Sequence, residues 1–210
     1  MFSPMASTTE HPTALSLRER KKRETRASLI GAALRLVTER GIDRVTVEEI
    51  SSAANVSVRT FFNYFRNKED AVTGGGVIAG ERLVHGLREA PPELPALAAV
   101  RRAMLAEAQA IEKEPAALIQ VLTIADRSPS LKSQLIAAGE TIHHDLARVI
   151  GERTDLDPAA HGYPGLVAAV SVAAFRHTIF RWHDSGRVDP LAELLDQAFD
   201  VLSIGLPEPT

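Results

Sequence analysis

Apolar residues recur at helical spacing along almost the whole chain, and no segment alternates apolar and polar positions as a half-buried strand would. From Leu17 to Arg40 the positions Leu29, Ile30, Ala33, Leu34 and Val37 form one stripe, and Gly41 supplies a stop. Ile42 and Val45 lead the connection back toward that stripe. Thr46, with Glu49 three residues later, is a capping-box start, and the helix it opens should bury Val47, Ile50 and Ala54. Asn55 then stands where a left-handed turn residue is wanted, Val56 is apolar, and Ser57 can cap the next helix. Two short helices joined this tightly predict a helix-turn-helix, whose second helix lies in the DNA major groove.

Asn67 can cap a fourth helix from Lys68, in which Gly74, Gly75 and Gly76 follow in succession. Each glycine inside a helix costs about 1 kcal/mol relative to alanine, so a bend or soft spot is expected there. A hinge and close packing both explain such a run. APPELP (90–95) ends the pattern, and further helices are expected near 96–112, 115–125, 129–153, 158–185 and 190–204. Glu114-Pro115, Ser128-Pro129, Asp157-Pro158 and Asp189-Pro190 separate them, each an order that favours a helix start. The prediction is an all-α protein of about nine helices. Residues 1–16, rich in Ser, Thr and Pro, read as a flexible leader in which Met5 is an alternative start; 17–70 form the helix-turn-helix head and 71–205 a helical ligand-binding and dimerisation body.

Composition narrows the function classes. With 210 residues and 45% apolar content, the chain can bury a sizeable core. Zero cysteines exclude disulfides, thiolate metal sites and cysteine nucleophiles, and fit a cytoplasmic protein. The first residues lack the pattern of a signal peptide, and the longest apolar run, Leu166 to Phe175, is too short to span a bilayer. The net charge of −3 is unevenly spread: residues 1–70 give 12 − 9 = +3 and residues 71–210 give 12 − 18 = −6. RERKKRETR, Arg18 to Arg26, concentrates six bases against two acids, so Arg20, Lys21, Lys22 and Arg23 are candidates for the phosphate backbone.

On the helix after Ser57, Phe61 and Phe65 lie four apart and should anchor it to the core. Val58, Arg59 and Thr60 occupy its first turn, and Phe62 and Asn63 share their side. Arg59 is the best reader of a base, since its planar fork can bond guanine O6 and N7 together. Asn63 is a second base-reading candidate, and Val58 can touch a thymine methyl.

The basic first helix, the capped second helix, the third ending in FFNYF and the Asn-Lys-Glu-Asp after it resemble the TetR family of transcriptional regulators over about residues 20 to 72. The double-aromatic RTFFNYF also resembles a subgroup described as binding acyl-CoA-like ligands. The resemblance implies phosphate contacts from Thr46, Thr60 and Lys68, together with the aromatics Phe62 and Tyr64. Phe62 stands where the family most often has tyrosine, so a hydroxyl is missing there, and Tyr64 stands where histidine is common. For both aromatics, core packing is the competing reading.

The body is expected to pair two copies and to hold an effector. Pairing would double the contacts by setting two recognition helices about 34 Å apart on a pseudo-palindromic operator. Leu166 and Val170 on one late helix, with Leu191, Leu195, Phe199 and Leu202 on the last, are the expected homodimer interface, with completion of the chain's own core as the competing reading. Met104, Leu118, Leu122, Ile142, His143 and Phe175 are the expected pocket lining, with core packing the commoner fate for the apolar ones, and Arg148, Arg176 or His177 are available to a polar or anionic group. The effector is expected to be small and hydrophobic.

Enzyme, cofactor and metal readings find little support. His143 and His144 are adjacent and point about 100° apart, and His177 and His183 are six apart, so neither pair has the i, i+4 spacing of helical metal ligands. GGG in a helix is not a phosphate-binding loop. The expected function is a homodimeric, ligand-responsive DNA-binding repressor; the alternative is a helical ligand-carrier or interaction protein that has lost operator binding.

Overall fold

A computed structural model describes residues 17–205, with side chains throughout that range except at 75–78; the leader expected at 1–16 lies outside the described residues. The described chain is entirely helical. The head comprises α1 (Leu17–Arg40), a 3-10 turn at Ile42–Arg44, α2 (Val47–Ala53), α3 (Val58–Phe62) and α4 (Lys68–Val72). The body follows with α5 (Gly75–Arg88), α6 (Ala96–Lys113), α7 (Ala116–Ala125), α8 (Pro129–Thr154), α9 (Gly162–Asp184) and α10 (Leu191–Ser203).

Among the described residues ten α-helices stand where about nine were expected, because the predicted fourth helix divides at Thr73 and Gly74. A Cβ on Gly74 would lie 2.8 Å from Cε1 of Phe65 and 3.1 Å from Ile30. At this position the packing reading holds: the head core presses directly on the backbone. α9 opens at Gly162, later than the expected start near 158. Asp155 ends α8 in the left-handed region, φ 54°, and the carboxylate of Asp157 accepts from the amide of Ala159 at 2.9 Å, so the chain turns before it can coil again.

Leu29, Ile50, Phe61 and Phe65 are buried in the head core together with Ala71 and Val72. Val121 and Ala125 of α7 and Leu131 of α8 join the same cluster, so the head sits on the body through shared apolar packing. The larger core lies among α5, α6, α8, α9 and α10 and includes Met104, Leu146, Ile150 and the single tryptophan, Trp182.

That second core takes up much of the apolar surface named for the dimer interface. Leu191, Leu195 and Phe199 are 0%, 0% and 1% exposed, so α10 spends its apolar face on its own chain. Leu202 is half-buried against the same cluster. Of the six residues named, only Leu166, at 64% exposure, is freely presented, with Val170 half-buried beside it.

Long-range polar ties fix the body helices. Arg82 of α5 grips Glu107 of α6 with both arms of its guanidinium, one bond measuring 2.7 Å. Glu107 is 4% exposed, and bonding to its carboxylate holds the Arg82 guanidinium above its ordinary pKa. Arg153 of α8 donates to the carbonyls of Ala90 at 2.9 Å and Pro91 at 2.7 Å, bracing the α5–α6 loop. Among the described residues, no helix is long and apolar enough to cross a membrane.

Candidate nucleic-acid interface

α2 begins with both halves of the capping box. The amide of Glu49 donates to Oγ1 of Thr46 at 3.2 Å, and the amide of Thr46 donates to the Glu49 carboxylate at 3.0 Å. The bond from the Thr46 backbone is the main cause holding the Glu49 carboxyl below its usual pKa. Arg40 of α1 adds an ion pair to Glu49 at 2.8 Å. The angle between the first two helices is thereby tied at the point where Thr46 faces outward.

Asn55 adopts φ 55°, the left-handed conformation expected of it, and Ser57 caps α3 by accepting from the amide of Thr60 at 3.0 Å. The hydroxyls of Ser57 and Thr60 also bond each other at 2.8 Å. α3 is short, and Asn63 closes it as the C-cap. Phe61 and Phe65 are 0% and 2% exposed, with ring centroids 5.7 Å apart; both are core anchors as expected, although the helix ends before Phe65, which anchors the turn after it. The other side presents Arg59, Phe62 and Asn63 to solvent, with Val58 and Thr60 half-buried beside them.

The competing readings of the two outer aromatics separate. Phe62 is 56% exposed, so it is not a core residue, although its ring meets the edge of Phe61 with centroids 5.5 Å apart. Tyr64 is half-buried against the head core, its ring 6.4 Å from that of Phe65. Packing accounts for much of Tyr64 and little of Phe62.

Lys68 departs from the simple expectation. Its ammonium donates to the carbonyl of Ile42 at 2.7 Å and to that of Val45 at 3.2 Å, tying α4 to the segment that leads into Thr46. Two of its three donors are thus engaged internally, leaving one for a phosphate. Arg20, Lys21, Lys22 and Arg23 are exposed on α1; Arg20 pairs with Glu24 at 3.7 Å, a surface contact of little energetic weight.

Arg26, counted with the basic run, turns inward instead. Its guanidinium carbon lies 4.7 Å from the centre of the Phe65 ring, and it donates to the carbonyl of Gly74 at 3.4 Å. It links α1, the anchor of α3 and the α4–α5 junction. The sequence carried a weak sign of this, since Arg26 precedes Leu29 by three residues on the buried side of α1.

The expected effector residues do not form one set. Met104 and Leu122 are buried, and Leu118, Ile142 and Phe175 are half-buried against the body core. His143 bonds the carbonyl of Gly165 at 3.1 Å. Arg176 and His177 are exposed on α9, on the side away from the core, which removes them from any interior site. Arg148 is exposed as well and pairs with Glu152 at 2.9 Å.

Residues 29–72 match the model of bacterial regulatory proteins, tetR family, and residues 94–207 match that of the MftR C-terminal domain. The HTH-type transcriptional regulator TcmR of Streptomyces glaucescens is 31% identical over 200 residues, covering 92% of this chain and 88% of that protein. Among solved structures, Thermus thermophilus FadR, a TetR-family repressor in complex with lauroyl-CoA, superposes with a TM-score of 0.54 at 22% identity, over 88% of this chain and 96% of that one. SmeT, the repressor of the Stenotrophomonas maltophilia multidrug efflux pump SmeDEF, superposes with a TM-score of 0.56 at 18% identity, over 89% and 99%. A capped helix-turn-helix with a one-sided third helix, seated on a helical body and matched along nearly its whole length, places this chain in the TetR family of transcriptional regulators.

Proposed function

We propose that the protein is a homodimeric repressor that holds a pseudo-palindromic operator through α3 and releases it when a small hydrophobic effector enters the helical body. The observation that carries this reading is the division of α3 and the turn that follows it: Phe61 of the helix and Phe65 just beyond it are buried, while Arg59, Phe62 and the C-cap Asn63 are exposed with Val58 at their edge. Arg59 reads a guanine edge, Asn63 and Val58 assist, and Thr46, Ser57, Thr60, Phe62, Tyr64, the remaining donor of Lys68 and the basic start of α1 meet the backbone. Phosphate contacts set the register, and base contacts select the sequence.

Pairing uses the outer stripe of α9 in place of the buried face of α10. Tyr163 and Leu166 are 47% and 64% exposed, Ala169 and Ala173 are exposed, and Val170 is half-buried, a helical spacing that continues one apolar strip. Val201 and Ile204, on the last turn and at the end of α10, are also exposed apolar residues, at 42% and 68%. An exposed strip of this kind favours a second copy over solvent.

The effector is taken to be hydrophobic because the half-buried lining candidates Leu118, Ile142 and Phe175 are apolar, and because the Thermus thermophilus relative was solved with lauroyl-CoA. Release requires the effector to prefer a state with misplaced recognition helices, by about 5.5 kcal/mol for a full switch. The α4–α5 junction, where Arg26 bonds Gly74, is the proposed route from body to head.

Selection of bound sequences from a random DNA pool tests the reading. A palindromic product with half-sites about one helical turn apart is expected. No enrichment, with binding that ignores salt, would favour the ligand-carrier alternative.

A further inference from the structure

Glu140, His143 and His144 stand together on α8, and one donor atom from each lies within 4.8 Å of the other two. Their order explains the cluster: Glu140 precedes His143 by three residues and His144 by four, and both spacings bring side chains together on a helix. The two histidines considered as a pair point apart. The carboxylate one turn earlier lies between them.

Both imidazoles are already oriented by backbone. Nε2 of His143 lies 3.1 Å from the carbonyl oxygen of Gly165 on α9, and Nδ1 of His144 lies 2.7 Å from the carbonyl oxygen of Glu140. A carbonyl oxygen only accepts, so these two nitrogens carry the hydrogens. In a neutral imidazole the other nitrogen then holds a lone pair, which leaves Nδ1 of His143 and Nε2 of His144 as donors to an ion. A ring N–H fixed on a backbone carbonyl is how metal-ligating histidines are commonly held. Nδ1 of His143 lies 3.7 Å from the carboxylate of Glu140, and the two rings are 5.2 Å apart.

We propose that Glu140, His143 and His144 bind one divalent transition ion of the zinc, cobalt or nickel class. Two imidazoles and a carboxylate suit these borderline ions and not magnesium or calcium, which take oxygen ligands. Bonds of about 2.0–2.1 Å around a tetrahedral ion place ligand atoms about 3.3 Å apart. One ligand atom from each side chain already lies within 4.8 Å of the others, and Glu140 and His144, both exposed, can turn about their side-chain bonds to close on an ion. Three protein ligands leave a position open to water or to a further group. Because His143 is bonded to Gly165, the ion would brace α8 against the first turn of α9, next to exposed Leu166. The site stands independently of the DNA-binding reading.

Titration of the untagged full chain with Co2+, followed by visible absorption and then by displacement with Zn2+, tests the proposal. One ion per chain is expected, with the intense visible bands of a four-coordinate cobalt centre. Glu140→Gln and His144→Ala should each weaken binding about tenfold or more while leaving the far-ultraviolet circular dichroism intact. His85→Ala, a change at an exposed histidine on α5, should leave the affinity unchanged. Absence of saturable one-to-one binding, or equal affinity in Glu140→Gln, His143→Ala and His144→Ala, would overturn it.

Discussion

Arg59 and Phe62 lie side by side on the exposed face of α3, and they act through different physics. Arg59 can reach base edges with a planar fork, so Arg59→Ala should cost about 1–3 kcal/mol on the selected operator and relax the preference at one guanine. A gel-shift series over operators substituted at single positions measures both, and an unchanged preference would remove Arg59 from its role. Phe62 carries no hydroxyl, yet its 56% exposure places the ring where a backbone contact is available. Phe62→Tyr restores a donor, and one net hydrogen bond of about 1 kcal/mol predicts roughly fivefold tighter binding with the sequence preference unaltered. Loss of affinity would show that the ring is used as a hydrophobic surface. At this scale much was legible in the sequence: Thr46, Ser57, Asn55 and Asn67 all take the capping or turn roles expected of them, because those roles depend on neighbours within three residues. Lys68 and Arg26 were not legible in the same way. Their partners are the carbonyls of Ile42, Val45 and Gly74, and only the folded chain brings these near.

At the scale of elements, the junction between α4 and α5 is the proposed route between body and head. Gly74 has φ −57° and ψ −15°, a conformation that alanine adopts without strain. On backbone entropy alone, Gly74→Ala would stabilise the protein by about 1 kcal/mol. Space reverses the sign, since the new Cβ would meet Phe65 at 2.8 Å and Ile30 at 3.1 Å, and overpacking of a fixed core costs about 1–3 kcal/mol. Urea denaturation should therefore show destabilisation. DNA binding should weaken with it, because displacement of Phe65 moves the anchor of α3. A stabilised variant would mean that chain freedom outweighs packing at this site. Helix boundaries from α6 to α8 came close to those expected, since proline and capping signals are local. The glycine run alone fits a hinge and close packing equally, because a row of glycines does not say what lies against it. The Arg82–Glu107 pair, which joins α5 to α6, had no local signature at all.

For the whole molecule, the question is which apolar face belongs to the chain and which to its partner. Periodicity identified the wide faces of α9 and α10 correctly but could not apportion them, as an amphipathic helix buries its stripe equally well in its own core or in a dimer. Exposure in the single chain supports the outer stripe of α9 as the proposed pairing face. Leu195 is fully buried, so Leu195→Ala should cost about 2–5 kcal/mol of folding stability whatever the oligomeric state. Leu166 is 64% exposed in the single chain, so Leu166→Glu should leave the isolated fold nearly unaffected while burying a charge in any α9–α9 interface. Sedimentation analysis should find Leu166→Glu shifted toward monomer at concentrations where the parent is dimeric. Operator binding should then fall steeply and become dependent on protein concentration, because one recognition helix no longer brings the second with it. Dimers that persist in Leu166→Glu would move the interface away from this stripe, and tight operator binding by a monomer would remove the symmetric mode of recognition altogether.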